Sequence, residues 1–550
     1  MTEANSSPVG LSPEIRDRLR AIRGVLQSGD VVAAARDADQ ALRDGVRHPF
    51  LFNTVAMHLE AEGRLDGAER VLRDGLAAAP DDAGLLHALG LLLLRLEKPD
   101  EAITLFEQVL AERGDFAPAL VALGQALEAT GVLPAAEARY REALGLAPGN
   151  LLALAGLASV SVRRGDRKQA RAYGAQVLAA EPNYPPAAMV VAEAEIGDGD
   201  TAAAETRLRA LVREPRLTTV ERSLSLSLLA DALDKQDRRA EAFAAYRESN
   251  ELRREHYAAE FRDRRTLDYA NNLRQWLARH GARDLLTIVP PEVPNSPASG
   301  HVFLIGFPRS GTTLLEQILA SHPRVKALEE RETLIDAVRK FMMEPGDLAR
   351  LGLATEEDLA PLRDAYWKRV SDAGVFVNKN LFVDKHPLNG FKLPLIARLF
   401  PEARILLALR DPRDVVWSCF RRRFRMNAPM YEFLSLETTA ALYDAVMQIT
   451  QILIRDLELK PHRVHLEKLI GNFENEARGL CAFLDLDWNE KMRDFAETAR
   501  ARGVATPSGA QLARGLNAGG VGEWRRYREH LAPVLPLLEP WVRLYGYDPD

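Results

Sequence analysis

Residues 301–322 read HVFLIGFPRSGTTLLEQILASH and join three patterns. HVFLI is a short apolar run that predicts a buried strand, and LLEQILASH spaces its apolar residues for one face of a helix. Between them, GFPRSGTT (306–313) keeps the two glycines of the phosphate-binding pattern G-x-x-x-x-G-K-[ST], but Thr312 stands where lysine is expected. The stretch therefore predicts a strand–loop–helix element whose backbone N–H groups bind an anion.

The missing lysine limits the kind of anion that this loop suits. In nucleoside triphosphatases the lysine neutralises the β- and γ-phosphates, and Mg²⁺ bridges them. Arg309 still supplies a positive charge from inside the loop. We therefore expect a ligand with a single phosphate at this position, held by Arg309, Ser310, Gly311, Thr312 and Thr313.

A second anion site is predicted about 100 residues further on. ARILLAL (403–409) reads as another buried strand, and Arg410 follows its carboxyl end. Asp411 and Pro412 are typical of a helix start, and Ser418 and Arg422 lie four residues apart on that helix, hence on one face. We expect Arg410 and Ser418 to bind one phosphate, with Arg422 as a third contact. For two of the four arginines 421, 422, 423 and 425, a solvated surface is the alternative.

Composition excludes several classes of protein. The chain has 550 residues, too many for one core, and its net charge of −6 gives no global basic field for nucleic acid. Its two cysteines exclude a disulfide framework and four-cysteine zinc sites, and its eleven histidines are scattered, so no metal is expected. The longest apolar run falls far short of the roughly 18 residues of a membrane span. The first ten residues do not resemble a secretory signal, so we expect a cytoplasmic protein.

The first half of the chain carries an internal repeat. Alanine recurs every 34 residues, at Ala34, Ala68, Ala102, Ala136, Ala170 and Ala204. Glycine shares a second register at Gly29, Gly63, Gly131, Gly165 and Gly199, with Glu97 as the only departure, and Pro80, Pro148 and Pro182 share a third. A period of 34 residues is typical of helix–turn–helix tetratricopeptide repeats. A further copy is predicted around Ala242, after an insertion.

These patterns predict four segments. They are a disordered amino terminus (1–12), about six to seven all-α tetratricopeptide repeats forming a solenoid (13–258), a connecting helix with a Pro-rich linker (259–299) and an α/β domain with a mainly parallel sheet (300–550). Stacks of such repeats form a groove that usually binds a peptide or a partner protein. The alternative is that the repeats serve as a spacer or as the contact of a homodimer.

The two anion-binding segments carry a family resemblance. GFPRSGTT followed by HP (322–323), and RDPRDVVWS (410–418), resemble the two cofactor-binding signatures of sulfotransferases. The resemblance implies 3′-phosphoadenosine 5′-phosphosulfate (PAPS) as co-substrate, with its 5′-phosphosulfate on the loop and its 3′-phosphate on Arg410 and Ser418. Together with the repeats, the chain resembles the bacterial tetratricopeptide-repeat sulfotransferases. Its catalytic part is similar to protein-tyrosine sulfotransferases.

Three further segments resemble the same family: EE (329–330), VDKHPLN (383–389) and VGEWRRYREHL (521–531). They imply that Glu330 is the general base and that Lys385 stabilises charge on the leaving oxygen. His386 is the second candidate for the base, because an imidazole titrates near neutral pH. Trp524 is predicted to lie near the adenine, and a tryptophan of the core is the alternative.

The predicted function is transfer of a sulfuryl group from PAPS to an acceptor hydroxyl, with tyrosine in a peptide or protein held by the repeats as the first candidate. Saccharide, lipid and small-molecule hydroxyls are alternatives. Two rival functions come from other classes: a P-loop kinase or nucleotidase, and a repeat scaffold with an inactive transferase domain. Thr312 in place of the loop lysine argues against the former, and retention of Arg309, Glu330, Lys385, Arg410 and Ser418 together argues against the latter.

Overall fold

A computed structural model of the chain describes residues 12–96, 98–286, 296–497, 516 and 519–550. The chain divides into two compact units, Met1–Ala194 and Glu195–Asp550. The predicted domain boundary at 258/259 therefore falls inside the second unit. The disorder predicted for 1–12 concerns residues that, apart from Ser12, lie outside the described ones, and residues 287–295 of the predicted linker do so as well.

The first unit is a helical solenoid of the predicted kind. Its helices are α1 (Pro13–Gln27), α2 (Val31–Arg43), α3 (Pro49–Ala61), α4 (Leu65–Ala78), α5 (Ala83–Arg95), α6 (Pro99–Glu112), α7 (Ala117–Ala129), α8 (Leu133–Leu146), α9 (Leu151–Arg163), α10 (Arg167–Ala180) and most of α11 (Pro185–Asp198). Each helix packs against its neighbours in the sequence. The prolines of the repeat lie between successive helix pairs, where a helix cannot continue.

The repeat residues explain this packing. All six alanines of the 34-residue register are completely buried, because only a small side chain lets two helices approach this closely. The five glycines have φ between 73° and 89°, which favours glycine in the turn inside each pair. At the predicted further copy, Ala242 is also completely buried, and Asp237 adopts the left-handed turn conformation with a φ of 60°.

The second unit begins with the last helices of the repeat region. They are α12 (Thr201–Val212), α13 (Thr219–Lys235) and α14 (Arg239–Tyr257), and α15 (Thr266–His280) follows as the connecting helix. A capping box between Thr218 and Glu221 fixes the start of α13. Helices α13 and α14 pack against each other, and we call them the last helix pair.

The rest of the second unit is built on a five-stranded sheet. Its strands are β1 (Gly300–Ile305), β2 (Val325–Glu329), β3 (Leu381–Lys385), β4 (Arg404–Leu409) and β5 (His462–His465). Their order is β2-β3-β1-β4-β5, and every pairing is parallel. The predicted mainly parallel sheet is thus confirmed. Because all strands point the same way, the segments that follow them meet at one edge, where ligands of open α/β sheets bind.

Helices surround this sheet. They are α16 (Thr312–Ala320), α17 (Ile335–Phe341), α18 (Leu348–Gly352), α19 (Glu356–Asp372), α20 (Leu393–Leu399), α21 (Pro412–Arg421), α22 (Ala428–Glu432), α23 (Leu436–Asp456), α24 (Leu466–Gly471), α25 (Phe473–Phe483), α26 (Arg528–Leu531) and α27 (Leu535–Leu544). Short 3₁₀ segments occur at Arg283–Leu286, Pro345–Asp347, Pro387–Lys392, Glu490–Met492 and Glu523–Tyr527. Within the described ranges, no helix has the length and apolar character needed to cross a membrane.

Candidate active site

The loop after β1 has the predicted strand–loop–helix form. Helix α16 begins at Thr312, and Gly311 precedes it with a φ of 92°. A Cβ atom on Gly306 would lie 2.7 Å from the carbonyl oxygen of Ala408 on β4, so only glycine fits there. The N–H of Gly306 donates to the carbonyl of Pro387 at 2.9 Å. These contacts hold the loop closely between the segments that follow β3 and β4.

Arg309 connects the two predicted anion sites. Its φ of 72° lies in the left-handed region, which is strained for a residue other than glycine and is found mainly at functional sites. Its Nε donates to Oγ of Ser418 at 3.1 Å, and its carbonyl oxygen accepts from Nη1 of Arg410 at 3.1 Å. Although more than 100 residues separate them in sequence, the loop and the start of α21 therefore form one site.

This site concentrates buried positive charge. Burial lowers the pKa of Arg309, and the nearby guanidinium groups of Arg422 and Arg410 lower it further, to about 9. Arg410 and Arg422 form no ion pair with a described carboxylate, and Nε of each has no hydrogen-bond partner among the described residues. Because buried charges are normally compensated, this arrangement suits a bound anion.

A cavity of about 660 Å³ opens at the carboxyl edge of the sheet. Nine of the predicted site residues line it: Arg309, Gly311, Thr312, Thr313, Glu330, His386, Arg410, Ser418 and Arg422. The other three, Ser310, Lys385 and Trp524, lie behind its wall. Ser310 closes a turn of the loop, since its N–H donates to the carbonyl of Phe307 at 3.1 Å.

Carboxylates occupy the side of the cavity that follows β2. Glu330 has a φ of 38°, and its N–H donates to the carbonyl of Lys385 at 2.8 Å. Its Oε1 lies 2.7 Å from Nζ of Lys385, which is completely buried. Glu329 and Glu316 also approach this ammonium group, at 3.4 and 3.7 Å. Lys385 therefore orients Glu330 from behind the wall, and its predicted contact with the leaving oxygen stays a prediction.

The pKa of Lys385 reflects this environment. Burial lowers it, but the carboxylates of Glu330, Glu316 and Glu329 outweigh burial and leave the pKa above its ordinary value. The ammonium group is therefore charged at neutral pH. A buried charge with three carboxylate neighbours has no need of an external anion.

His386 lies beside a carboxylate that the sequence reasoning did not assign. Its Nε2 is 3.0 Å from Oε1 of Glu332, and its Nδ1 is buried with no hydrogen-bond partner among the described residues. Nζ of Lys392 lies 2.6 Å from Oε2 of the same glutamate. Burial raises the pKa of Glu332, but His386 and Lys392 lower it by more. One ring nitrogen is occupied and the other is buried. His386 is therefore poorly placed to take a proton from the hydroxyl group of a substrate.

Trp524 is not among the residues that line the cavity, so the prediction that it lies near the adenine gains no support here. Its side chain is completely buried, and the guanidinium carbon of Arg413 lies 3.8 Å from the centre of its ring. Its backbone N–H donates to Oδ1 of Asp414 at 2.9 Å. The core alternative therefore describes Trp524. The inward packing of this side chain and the hydrogen bond to Asp414 hold the backbone at Trp524 in place.

The residues just before Trp524 do reach the cavity, and the sequence reasoning missed them. The carbonyl of Gly520 accepts a hydrogen bond from Arg410, and Glu523 forms an ion pair with Arg421. Oδ2 of Asp414 accepts from the N–H of Gly522 at 2.6 Å, and burial raises the pKa of Asp414 to about 6. Glu523 in VGEW (521–524) could have indicated this placement from the sequence, because its negative charge complements the arginines of 421–425.

Within the described ranges, no group of three or more His, Cys, Asp and Glu side chains could hold a metal ion.

Family models match both parts of the chain. Residues 301–490 match the model described as sulfotransferase family, and residues 87–151 match the one described as tetratricopeptide repeat. The chain thus carries one segment that matches tetratricopeptide repeats and one that matches the sulfotransferase family, and most of the residues that line the cavity lie in the latter.

Individual proteins match parts of the chain at low identity. An uncharacterized protein of Aquifex aeolicus is 25% identical over 435 residues, 76% of this chain and 53% of that protein, so this chain spans about half of its length. Protein-tyrosine sulfotransferase 1 of Danio rerio is 26% identical over 264 residues, 45% of this chain and 72% of that protein. A solved tetratricopeptide repeat protein from Parabacteroides merdae matches with a TM-score of 0.38 and 16% identity. The match covers 44% of this chain and 94% of that protein's chain.

Proposed function

We propose that this protein transfers a sulfuryl group from PAPS to an acceptor hydroxyl, with a peptide tyrosine as the acceptor. The observation that carries the proposal is the meeting of two anion sites at one sheet edge, where Nη1 of Arg410 lies 3.1 Å from the carbonyl oxygen of Arg309. A donor with phosphates at both ends of one nucleoside needs such a pair of sites.

The described residues fit this donor. The N–H groups at the start of α16 and the hydroxyls of Thr312 and Thr313 would hold the 5′-phosphosulfate. Arg410, Ser418 and Arg422 would hold the 3′-phosphate. The Nε atoms of Arg410 and Arg422 have no hydrogen-bond partner among the described residues, and this supports the assignment because a phosphate would supply acceptors for them.

Glu330 is the group that we assign as general base. Its Oε1 is held by Lys385 at 2.7 Å, so Oε2 is the oxygen left to accept a proton, and the side chain lines the cavity. In the proposed step the acceptor oxygen forms a bond to sulfur while the bond from sulfur to the bridging oxygen breaks. The leaving phosphate keeps the electron pair, and the acceptor proton passes to Oε2 of Glu330.

Apolar side chains on the same wall support an aromatic acceptor. Leu388, Phe424, Met430 and Leu466 line the cavity beside Glu330 and the arginines. A phenol ring would bury apolar surface against such a wall, whereas a saccharide would leave several hydroxyls without partners there. The similar proteins named for tyrosine sulfation point the same way. The repeats would recruit the peptide or protein that carries the tyrosine.

The test uses PAPS labelled at sulfur. Purified full-length protein is incubated with this donor and tyrosine-containing peptides, with the matching phenylalanine peptides as controls, and in parallel with an extract of host cells. Label on tyrosine peptides and not on their phenylalanine counterparts is the expected result. Label found only on glycans or lipids would overturn the tyrosine assignment, and no label in any fraction would favour the inactive-scaffold alternative.

A further inference from the structure

The carboxyl end of helix α21 is held by side chains of the last helix pair. Nδ2 of Asn250 on α14 donates to the carbonyl of Phe420 at 2.8 Å, and Nη2 of Arg253 donates to the carbonyl of Phe424 at 2.6 Å. The final carbonyls of a helix have no partner within the helix and must be satisfied from outside. Here Asn250 satisfies the carbonyl of Phe420 in the last turn, and Arg253 binds the carbonyl of Phe424 beyond the helix end, so α14 holds the backbone on both sides of Arg422.

Two aspartates of α13 hold the neighbouring arginines. Oδ2 of Asp231 lies 2.7 Å from Nη1 of Arg423, and Oδ2 of Asp234 lies 3.5 Å from Nη1 of Arg421. Asp234 also accepts a hydrogen bond from the hydroxyl of Tyr527 at 2.6 Å. Its side chain is mostly buried, at 11% exposure, so water screens these interactions weakly.

Arg422 differs from both of its neighbours. Arg421 and Arg423 each have a carboxylate partner from α13, whereas Arg422 forms no ion pair with any described residue. Burial and the charge of Arg421 lower its pKa. It lines the cavity on the same wall as Arg410 and Ser418. The last helix pair thus supplies carboxylate partners to Arg421 and Arg423, whereas Arg422 has no such partner among the described residues.

We propose that the last helix pair is part of the donor site, and that Asp231, Asp234 and Asn250 are positioning residues that set the end of α21 so that Arg422 meets the 3′-phosphate. This inference rests on the proposed function, since it assumes that a nucleotide phosphate binds there. It goes beyond that function because it assigns a role in donor recognition to helices of the repeat region.

The experiment compares two nucleotides that differ only at the proposed contact. Full-length protein is titrated by calorimetry with adenosine 3′,5′-bisphosphate and with adenosine 5′-monophosphate. Asp234→Asn removes one of the two carboxylates paired with Arg421, the other being Glu523, and also the partner of Arg526 at 2.9 Å. We expect it to weaken bisphosphate binding about tenfold, because a misplaced arginine loses much of its interaction. Affinity for the monophosphate should stay unchanged. Asn250→Ala should act in the same direction, and Asp234→Glu should restore part of the loss.

Glu205→Gln is the matched control. Glu205 on α12 is a mostly buried carboxylate paired with Arg238 at 2.7 Å in the same repeat region, and its two ion-pair partners, Arg209 and Arg238, belong to that region. Its loss should leave both affinities unchanged. A second control places Asp234→Asn in an Arg422→Ala background, where the aspartate substitution should add no further loss.

The outcomes separate the two proposals. If the wild-type protein shows no preference for the bisphosphate, the proposed function fails and this inference fails with it. If the wild type prefers the bisphosphate and Asp234→Asn and Asn250→Ala keep that preference, only the positioning role is overturned. Equal weakening of both nucleotides would also overturn it, because that result indicates a general loss of structure.

Discussion

Two groups of cations lie around the same cavity, and they differ in whether carboxylates of the protein compensate their charge. Lys385 is completely buried, with carboxylates of Glu330, Glu329 and Glu316 within 3.7 Å. Arg410 and Arg422, on the other side, form no ion pair with a described residue. A buried charge is unfavourable unless it is paired. The paired side is therefore complete in itself and orients a carboxylate, whereas the arginine side is organised for an anion that comes from outside.

The two sides also share a feature of the backbone. Arg309 and Glu330 have φ values of 72° and 38°, and both residues line the cavity. Such conformations persist only where the surroundings impose them. On both sides a hydrogen bond to the backbone imposes it: Arg410 donates to the carbonyl of Arg309, and Glu330 donates to that of Lys385.

The largest effect is expected on the carboxylate side, and it should concern turnover alone. Glu330→Gln keeps the size of the side chain but removes the base, and we expect turnover to fall about a thousandfold. The affinity for adenosine 3′,5′-bisphosphate should not change, since Glu330 does not belong to the arginine side. Initial rates of label transfer and calorimetry measure the two quantities.

His386→Asn is the comparison variant for this prediction. Glu332 occupies its Nε2 at 3.0 Å. We therefore expect the loss of turnover in His386→Asn to be about a hundredfold smaller than the loss in Glu330→Gln. A larger loss in His386→Asn than in Glu330→Gln would reverse the assignment of the base. A loss of bisphosphate affinity in Glu330→Gln would break the division between the two sides.

The next effect concerns the free energy of unfolding. Loss of the cation should lower it on the carboxylate side and raise it on the arginine side. Lys385→Met leaves three carboxylates without their shared cation, and we expect the free energy of unfolding to fall by about 3 kcal/mol. Arg422→Met removes a charge that other arginines repel, and we expect the ligand-free protein to gain about 1 kcal/mol. Urea unfolding of both variants without nucleotide measures these changes. A loss of equal size in both would show that Arg422 is already compensated within the protein.

Local patterns in the sequence predicted most of the fold because they record local geometry. The 34-residue period reflects one alanine per helix pair that must be small, and each of these alanines is completely buried. The runs at 301–305 and 403–409 predicted strands, and residues following parallel strands must meet at one edge. That rule also brought together Arg309, Glu330 and Arg410, which line the cavity.

What the sequence did not predict depends on contacts between distant segments. Asp234 lies 187 residues before Arg421, and no periodicity links the two. The burial of Lys385 and Trp524 likewise depends on which elements pack over them. Motif matching fixed their positions along the chain but could not tell which face of the wall their side chains occupy. Glu332 escaped notice because its role depends on Nε2 of His386, 54 residues away.

A third effect tests the arginine side by affinity. Arg410→Ala removes a charged donor at the carboxyl end of β4, and we expect bisphosphate affinity to fall about a hundredfold. Arg404→Ala is the matched control, because Arg404 starts the same strand at the opposite edge and pairs with Asp485. Its affinity should equal that of the wild type. Equal losses in both variants would mean that the strand was disturbed as a whole, and the site would have to be sought elsewhere.

The smallest effect is expected at Trp524, and it decides how far the donor site extends. Trp524→Phe keeps an aromatic ring beneath the guanidinium of Arg413, which lies 3.8 Å from the indole centre. Because the side chain is completely buried behind the wall, bisphosphate affinity should stay within about twofold, while the free energy of unfolding falls by about 1 kcal/mol. Calorimetry and urea unfolding of the same preparation measure both. A clear loss of affinity without a loss of stability would show that Trp524 lies near the adenine after all. The donor site would then include residues beyond Glu523.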